Sequence, residues 1–105
     1  LESAAITLGQ NTLTNLESNE SYYYVFTAPV AGTYQFYSSK DEESSGDPRA
    51  WLYDYKMSEL NYGDDNIDGG NFWFTRYLSA GETVFLRVED YDGDPASFYT
   101  CVDFY

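Results

Sequence analysis

The chain is patterned for β-strands along almost its whole length. In the segment TVFLRVE the apolar residues Val84, Leu86 and Val88 stand at every second position. Successive side chains of a strand point to opposite faces of a sheet, so this spacing directs one set of residues to a core and the other to solvent. No stretch repeats its apolar residues with the period of an amphipathic helix. The pattern therefore predicts an all-β chain.

Eight or nine short segments of this kind follow one another, separated by residues that favour turns. They lie in AITLG, NTLTNL, SYYYVFTA, TYQFYSS, RAWLYDY, LNY, NFWFTRYL, TVFLRVE and SFYTCVDFY. Many short strands at this spacing are typical of two packed sheets, and 105 residues suffice for one core. We predict a jelly-roll-like antiparallel β-sandwich of eight or nine strands over residues 1–105. Because the chain begins at Leu1 without a visible signal peptide, we expect this single module to come from a larger secreted multidomain protein.

The charge of the chain is strongly negative. It has 18 acidic and 5 basic residues, a net charge of −13. Such a surface repels nucleic acid and anionic lipid, so neither is expected as a partner. No apolar run approaches the roughly 20 residues that a membrane helix needs, so membrane insertion is not expected either. Disordered acidic chains lack apolar material, whereas 20% of these residues are aromatic, which indicates a folded domain.

The residue types restrict the chemistry. The chain contains no histidine, which excludes catalytic triads and histidine metal sites. Catalysis by carboxylates alone, as in glycosidases, normally uses a larger scaffold to hold a substrate cleft. We therefore predict that the chain is not an enzyme. The one cysteine, Cys101, has no partner for an internal disulfide and is predicted to be a small buried residue.

Three acidic loops, at residues 40–48, 63–71 and 90–96, are predicted to share one end of the sandwich. If each strand crosses its sheet once, successive connections alternate between the two ends. Two strands lie between the first loop and the second, so the chain has returned to the same end when the second loop begins. Two more strands bring it back to that end for the third loop. The tight turns APVAG, KMS and SAG then fall at the opposite end.

These loops contain a candidate calcium site. Asp64, Asn66, Asp68 and Gly69 match the first half of the calcium-loop pattern D-x-N-x-D-G, although Thr75 stands where that pattern ends in glutamate. Calcium binds six to eight oxygen ligands, which several loops together can supply. The candidate ligands are Asp47, Asp64, Asp65, Asn66, Asp68, Asp90, Asp92 and Asp94. The alternative is that these side chains bond their own backbone in tight turns.

Three aromatic residues are candidate sugar contacts. If Ala50 and Leu52 face the core, Trp51 and Tyr53 face outward, and Trp73 is placed in the same way opposite Phe74. An outward aromatic ring is a platform on which the C–H face of a sugar can stack. Tryptophan is also highly buried on average, so a core position remains the alternative for both tryptophans.

The chain resembles the bacterial pre-peptidase C-terminal domains. The shared positions are Asp47, Leu52-Tyr53-Asp54, Leu60, Asp64-Asp65, Leu78, Ala80-Gly81, Val88 and Tyr99, and an earlier hairpin matches at Tyr24, Phe26, Gly32 and Tyr34. Cys101 and Asp103 depart from the apolar residues usual in that family. The resemblance implies a β-sandwich in a secreted or cell-surface bacterial protein, and a non-catalytic module beside peptidases, glycosidases or adhesins. Related modules bind collagen and calcium, and others are similar to carbohydrate-binding modules.

The sequence thus predicts a non-catalytic extracellular binding module. Its expected ligand is a neutral polysaccharide, with calcium as a possible stabilising ion. The alternative is a structural, adhesion or protein-binding spacer module of a cell-surface protein or secreted hydrolase, whose partner is an extracellular protein. The module is expected to be monomeric and to lie outside the cell or on the bacterial cell surface. Two exposed tryptophans near one groove favour the polysaccharide, and two buried tryptophans favour the spacer.

Overall fold

The alternating segments form strands in two sheets. A computed structural model describes residues 2–105, among which there is no helix. The strands are β1 (Ala4–Ala5), β2 (Thr12–Leu16), β3 (Ser21–Thr27), β4 (Gly32–Ser39), β5 (Pro48–Asp54), β6 (Glu59–Asp64), β7 (Trp73–Leu78), β8 (Thr83–Asp90) and β9 (Ala96–Phe104). The predicted all-β sandwich is therefore confirmed. Nothing in residues 2–105 forms a helix that could cross a membrane.

The strands divide into a five-stranded sheet, ordered β1-β3-β8-β5-β6, and a four-stranded sheet, ordered β2-β9-β4-β7. Neighbours in both sheets are antiparallel except β1, which pairs in parallel with β3. Only β5 and β6 are consecutive strands that are also neighbours in one sheet. All other connections between the named strands lead to the opposite sheet, so contacts between residues distant in sequence dominate the fold.

The core lies between the sheets and follows the predicted alternation. Val84, Leu86 and Val88 are buried on β8, and Phe36 on β4 stacks against Phe74 on β7 with ring centroids 5.6 Å apart. Burial of each such side chain contributes roughly 1.5–3 kcal/mol. Cys101 is buried as predicted, and burial is the main cause that raises the pKa of its thiol.

The two ends of the sandwich differ as the count of strand crossings predicts. At one end the turn before β4 meets the turn before β8, where the Gly81 N–H donates to the Ala28 carbonyl at 2.8 Å. At the other end the Tyr91 N–H donates to the Asp47 carbonyl at 2.8 Å, and the Lys40 ammonium donates to the Gly69 carbonyl at 2.9 Å. The three acidic loops therefore meet at one end, which we call the acidic pole.

Candidate functional site

The two tryptophans lie on opposite outer surfaces of the sandwich. On β5, Trp51 alternates with the buried residues Ala50 and Leu52, so it points away from the core of the five-stranded sheet. On β7, Trp73 precedes buried Phe74 and points away from the core of the four-stranded sheet. Both side chains are partly exposed. The outward orientation is confirmed, but Trp51 and Trp73 cannot contribute to one groove.

Trp51 is the centre of a cluster of arginine and aromatic side chains on the five-stranded sheet. The guanidinium carbon of Arg87, its neighbour on β8, lies 4.5 Å from the ring centroid, and that of Arg49 lies 4.9 Å away. Tyr62, opposite Trp51 on β6, has its ring centroid at 5.1 Å. We call this surface, with Glu89 and Tyr53, the arginine–tryptophan face. The guanidinium groups of Arg49 and Arg87 contact the Trp51 ring, on which a sugar would have to stack.

Glu89 fixes the two arginines in place. It accepts bonds from Arg49 Nη2 at 2.6 Å and Nε at 3.1 Å, from Arg87 Nη2 at 2.8 Å, and from the Ser21 hydroxyl at 2.7 Å. Burial by itself would raise the pKa of Glu89, but these bonds and charges together lower it. Arg87 also lies 3.5 Å from the Tyr53 hydroxyl. Tyr53 therefore belongs to the same face as Trp51, as predicted from their spacing.

The surface around Trp73 has a different chemistry. The Trp73 indole N–H donates to Gln35 Oε1 at 3.1 Å, and the Gln35 amide donates to the Phe104 carbonyl at 3.0 Å. Tyr105 places its ring centroid 5.9 Å from that of Trp73. The outward residues of β4 and β7 are aromatic or neutral and polar: Thr33, Gln35, Tyr37, Trp73, Thr75 and Tyr77. We call this surface, with Tyr105, the neutral face.

Asp90 organises the third loop of the acidic pole. It is only 5% exposed, and its Oδ1 accepts the Asp47 N–H at 2.7 Å. Its Oδ2 accepts the N–H groups of Asp92 and Asp94, both at 3.0 Å. These are the hydrogen bonds of the alternative to a calcium site, in which the aspartates bond backbone N–H groups of their own loops. Nevertheless, one carboxylate oxygen from each of the three aspartates lies within 4.8 Å of the others, close enough to share a metal ion.

A second group of carboxylates surrounds Gly70. A Cβ atom built on Gly70 would lie 3.9 Å from Asp65 Oδ1 and 4.0 Å from Asp47 Oδ1. Burial, followed by the charges of Asp64 and Asp65, raises the pKa of Asp47. Asp64 Oδ1 is buried without a hydrogen-bond partner. An unpaired buried oxygen beside other carboxylates fits a cation, and the Lys40 ammonium already lies 3.4 Å from the same Cβ position.

Asn66 and Asp68 are placed less favourably for a metal. The Asn66 carbonyl oxygen accepts the Trp73 N–H at 2.8 Å, and the Asn66 amide donates back to the Trp73 carbonyl. Asn66 thus fixes the start of β7. The Asp68 side chain is exposed, and its backbone carbonyl accepts a bond from Asn71. Within the half calcium-loop pattern, Asp64 stands opposite Arg49 on the neighbouring strand and Asn66 bonds to Trp73, whereas Asp65, next to the pattern, lies near Asp47 around Gly70.

Sequence reasoning missed Arg49, Arg87, Glu89 and Gln35. The signal was available for three of them, because Arg49 stands two residues before Trp51, and Arg87 and Glu89 alternate with the apolar residues of β8. An outward position predicted for Trp51 predicts the same for Arg49. What the alternation could not give is the pairing of β5 with β8, which places Arg87 opposite Trp51.

The fold has counterparts among solved structures. No protein-family model and no curated protein match the chain in sequence. It is similar to the pre-peptidase C-terminal domain of a collagenase from Bacillus anthracis, with a TM-score of 0.75 and 16% identity over 96% of this chain and 94% of that one. It is also similar to PliG of Aeromonas hydrophila, a periplasmic inhibitor of g-type lysozyme, with a TM-score of 0.63 and 8% identity over 95% of each chain. The resemblance to pre-peptidase C-terminal domains is thus confirmed for the fold.

Proposed function

We propose that this chain is a non-catalytic, extracellular binding module whose neutral face binds a neutral polysaccharide. The observation that carries the proposal is the fixed, outward-facing indole of Trp73 beside the uncharged outward side chains of β4 and β7. A carboxylate, that of Asp103 on β9, stands opposite Gln35 and can accept bonds from sugar hydroxyls. The indole N–H is bonded to Gln35, so the orientation of the ring is set before a ligand arrives. A preorganised site loses less entropy on binding than one whose side chains must first be ordered.

The neighbours of Trp73 suit a sugar chain. Tyr77 is 61% exposed and Tyr105 is 73% exposed, so both rings can be reached from solvent. Thr33, opposite Tyr77, and Thr75, between Trp73 and Tyr77 on β7, offer hydroxyl groups as donors and acceptors for the hydroxyls of a sugar. The net charge of −13 does not repel a neutral ligand. Of the three predicted sugar contacts, this proposal keeps Trp73 and leaves out Trp51 and Tyr53, whose face carries two arginines.

The test is retention in native gels that contain soluble neutral polysaccharides. Trp73→Ala should weaken retention at least about tenfold in Kd, or ~1.4 kcal/mol, because a few aromatic anchors usually carry the binding energy of an interface. Trp51→Ala is the matched control and should leave retention unchanged. Loss of retention in Trp51→Ala alone would return the sugar site to the arginine–tryptophan face. No retention of the wild-type protein on any such polymer would reject the glycan function.

A folding control accompanies both variants. Each tryptophan is partly exposed, so its replacement by alanine should cost less than the roughly 3–5 kcal/mol typical of a core aromatic residue. Phe36→Ala, at a fully buried position, should show that larger loss in urea denaturation. If Trp73→Ala is as costly as Phe36→Ala, its binding defect reports unfolding and a Trp73→Tyr variant replaces it.

We further propose that calcium stabilises the acidic pole. Asp90, Asp92 and Asp94 would contribute carboxylate oxygens at one position, and the unpaired oxygen of Asp64 marks another. An ion would neutralise the repulsion among these groups and brace the loops that hold Asn66, and through it Trp73. Its contribution would be to structure, not to a reaction.

A second candidate is a structural or protein-binding module. The observation in its favour is the arginine–tryptophan face, since tryptophan, tyrosine and arginine are enriched where proteins bind proteins. Of the similar folds, one is described as an inhibitor of a lysozyme, whose partner is a protein. Variants in which the side chains of the arginine–tryptophan face are replaced would then retain the fold but no longer bind the protein partner.

A further inference from the structure

The free edge of β2 has backbone groups without a partner. β2 lies at one edge of the four-stranded sheet and pairs only with β9. On β9, Ser97 exchanges both of its backbone hydrogen bonds with Ser45, at 2.7 and 3.1 Å, so it is the next residue of β9 that bonds to β2, at Thr14. The same alternation on β2 directs the N–H and C=O groups of Leu13 and Asn15 away from β9. No backbone hydrogen bond reaches these four groups from elsewhere in residues 2–105.

The other sheet edges are protected in ways that β2 lacks. On β7 the Asn66 side chain bonds both backbone groups of Trp73, and the Asn61 amide donates to the Thr75 carbonyl at 3.3 Å. β6 begins and ends with an acidic residue and has a register shift in its pairing with β5, and β3 is partly covered by β1. Charges, bulges and covering segments are the usual means by which proteins prevent the addition of a further strand. The segment 10–16, QNTLTNL, has neither a charge nor a proline, and its pairing with β9 is regular, so the edge of β2 is open.

One end of β2 lies at the acidic pole. The chain leaves β2 through Glu17 and Glu20, and the Asn19 N–H between them donates to the Gly93 carbonyl of the third acidic loop at 2.8 Å. A hollow beside this turn is lined by one basic side chain and five acidic ones: Arg49, Glu20, Glu89, Asp90, Asp92 and Asp94. The end of β2 therefore adjoins a group of carboxylates from two loops.

The charge of this hollow is negative. Arg49 is already paired with Glu89, and no ion pair joins Glu20, Asp92 or Asp94 among the described residues. At the opposite end of β2 the neighbouring part of β9 carries one carboxylate, that of Asp103. A strand that pairs with β2 would therefore meet a strongly negative field at one end and a weaker one at the other.

We propose that the edge of β2 docks an extended segment of another protein, which is uncharged beside Leu13 and Asn15 and carries lysine or arginine at its N-terminal end. The unpaired backbone groups select a strand, because a strand supplies N–H and C=O groups at the matching spacing. Antiparallel pairing, the commoner kind, places the start of that strand beside Glu17 and Glu20. A second copy of this chain is disfavoured, because a net charge of −13 on each copy is repulsive. The inference goes beyond both candidate functions, since neither of them uses this edge.

The experiment uses two capped peptides of the same composition, in which two lysines stand either before or after a stretch of alternating threonine and valine. Binding is measured by NMR in calcium-free buffer of low ionic strength. The peptide with the lysines first should bind at least about threefold more tightly, since opposite charges on neighbouring strands attract each other. It should protect the backbone N–H groups of Leu13 and Asn15 from hydrogen exchange. The N–H group of Thr14 already bonds to β9 and should change little.

Matched variants locate the contact. Leu13→Pro removes an N–H group that points away from β9, a position at which an edge strand tolerates proline. It should raise the Kd of the tighter peptide at least about tenfold, because a carbonyl of the peptide is left unpaired. Leu13→Ala keeps the N–H group and should change the Kd less than about twofold. If melting curves show that Leu13→Pro is unfolded, peptides methylated on backbone nitrogens replace it: methyl groups on the residues that face β2 should abolish binding, and methyl groups on the alternate residues should not.

Several results would overturn the proposal. Equal binding of the two peptides would reduce the interaction to general attraction between lysine and an acidic protein. Preference for the peptide with the lysines last would contradict antiparallel pairing, and new protection on β6 or β7 would place the strand at another edge. Self-association that Leu13→Pro abolishes would make the occupant a second copy of this chain, and no binding of either peptide would reject strand addition at β2. None of these outcomes depends on Trp73 or Trp51, so they are separable from failure of either candidate function.

Discussion

Short polar side chains in the loops are the residues whose roles the sequence leaves open. Asp90 and Asn66 both belong to spacings that suggest a metal loop, yet each directs oxygens to backbone N–H groups. Aspartate and asparagine serve both purposes with the same atoms. What decides between them is the distance to carboxylates from other loops, and this is set by the fold and not by the local pattern.

The first prediction concerns Asp90. Replacing it with alanine removes the acceptor of three backbone N–H groups, and we expect a loss of about 3 kcal/mol in the free energy of unfolding. Asp68→Ala, at an exposed position, should change stability by less than about 0.5 kcal/mol. Urea denaturation in metal-free buffer measures both. Equal stability of the two variants there would mean that Asp90 does not organise the loop.

At the scale of strands, alternation predicted which residues face the core but not which strands share a sheet. The outward positions of Trp51 and Trp73 followed from their buried neighbours. Their separation onto opposite surfaces depends on β5 and β7, the strands that carry them, lying in different sheets. Hairpin formation is a local event, whereas a crossing between sheets depends on packing far along the chain. The acidic pole could be predicted because it needs only the direction of each strand.

The strand ends hold two carboxylates that should respond oppositely to pH. Burial, then Asp64 and Asp65 and more weakly Asp90, raise the pKa of Asp47, while Lys40 opposes them. A raised pKa in the folded state means that the ionised group destabilises the fold as pH rises through that pKa. Asp47→Asn should therefore increase stability at pH 7 in calcium-free buffer. The gain should disappear at low pH, where Asp47 is protonated in both states.

Glu89 provides the comparison. The pKa of Glu89 is lowered in the folded state. The ionised side chain therefore stabilises the fold above the ordinary pKa of glutamate, and this stabilisation is lost as the pH falls through the lowered value. Glu89→Gln should reduce stability at pH 7, and this loss should shrink as the pH falls. The denaturant midpoints of both variants, measured between about pH 3 and pH 7, test these expectations. Parallel pH dependence of the two differences would contradict this assignment.

At the scale of the whole molecule, an apolar core between two sheets is combined with a net charge of −13. Self-repulsion of that charge destabilises the compact state, and any salt relieves it by screening. A cation bound at the acidic pole would relieve it locally and would also pair the buried oxygen of Asp64. General screening and specific binding both raise the melting temperature, so stabilisation by calcium alone does not identify a site.

The last prediction separates these two effects. Millimolar-scale calcium should raise the melting temperature above that in sodium chloride of the same ionic strength, and a chelator should reverse the rise. An ion at about 100 times its Kd stabilises the folded state by about 2.7 kcal/mol if it does not bind the unfolded chain. Asp92→Asn should lose most of this difference, because its carboxylate lies within 4.8 Å of those of Asp90 and Asp94. Glu59→Gln removes the same charge from an exposed position at the opposite end of the sandwich. This variant should keep the extra rise in melting temperature that calcium gives over matched sodium chloride. Melting curves that coincide in calcium and in matched sodium chloride would leave these aspartates with their backbone bonds alone.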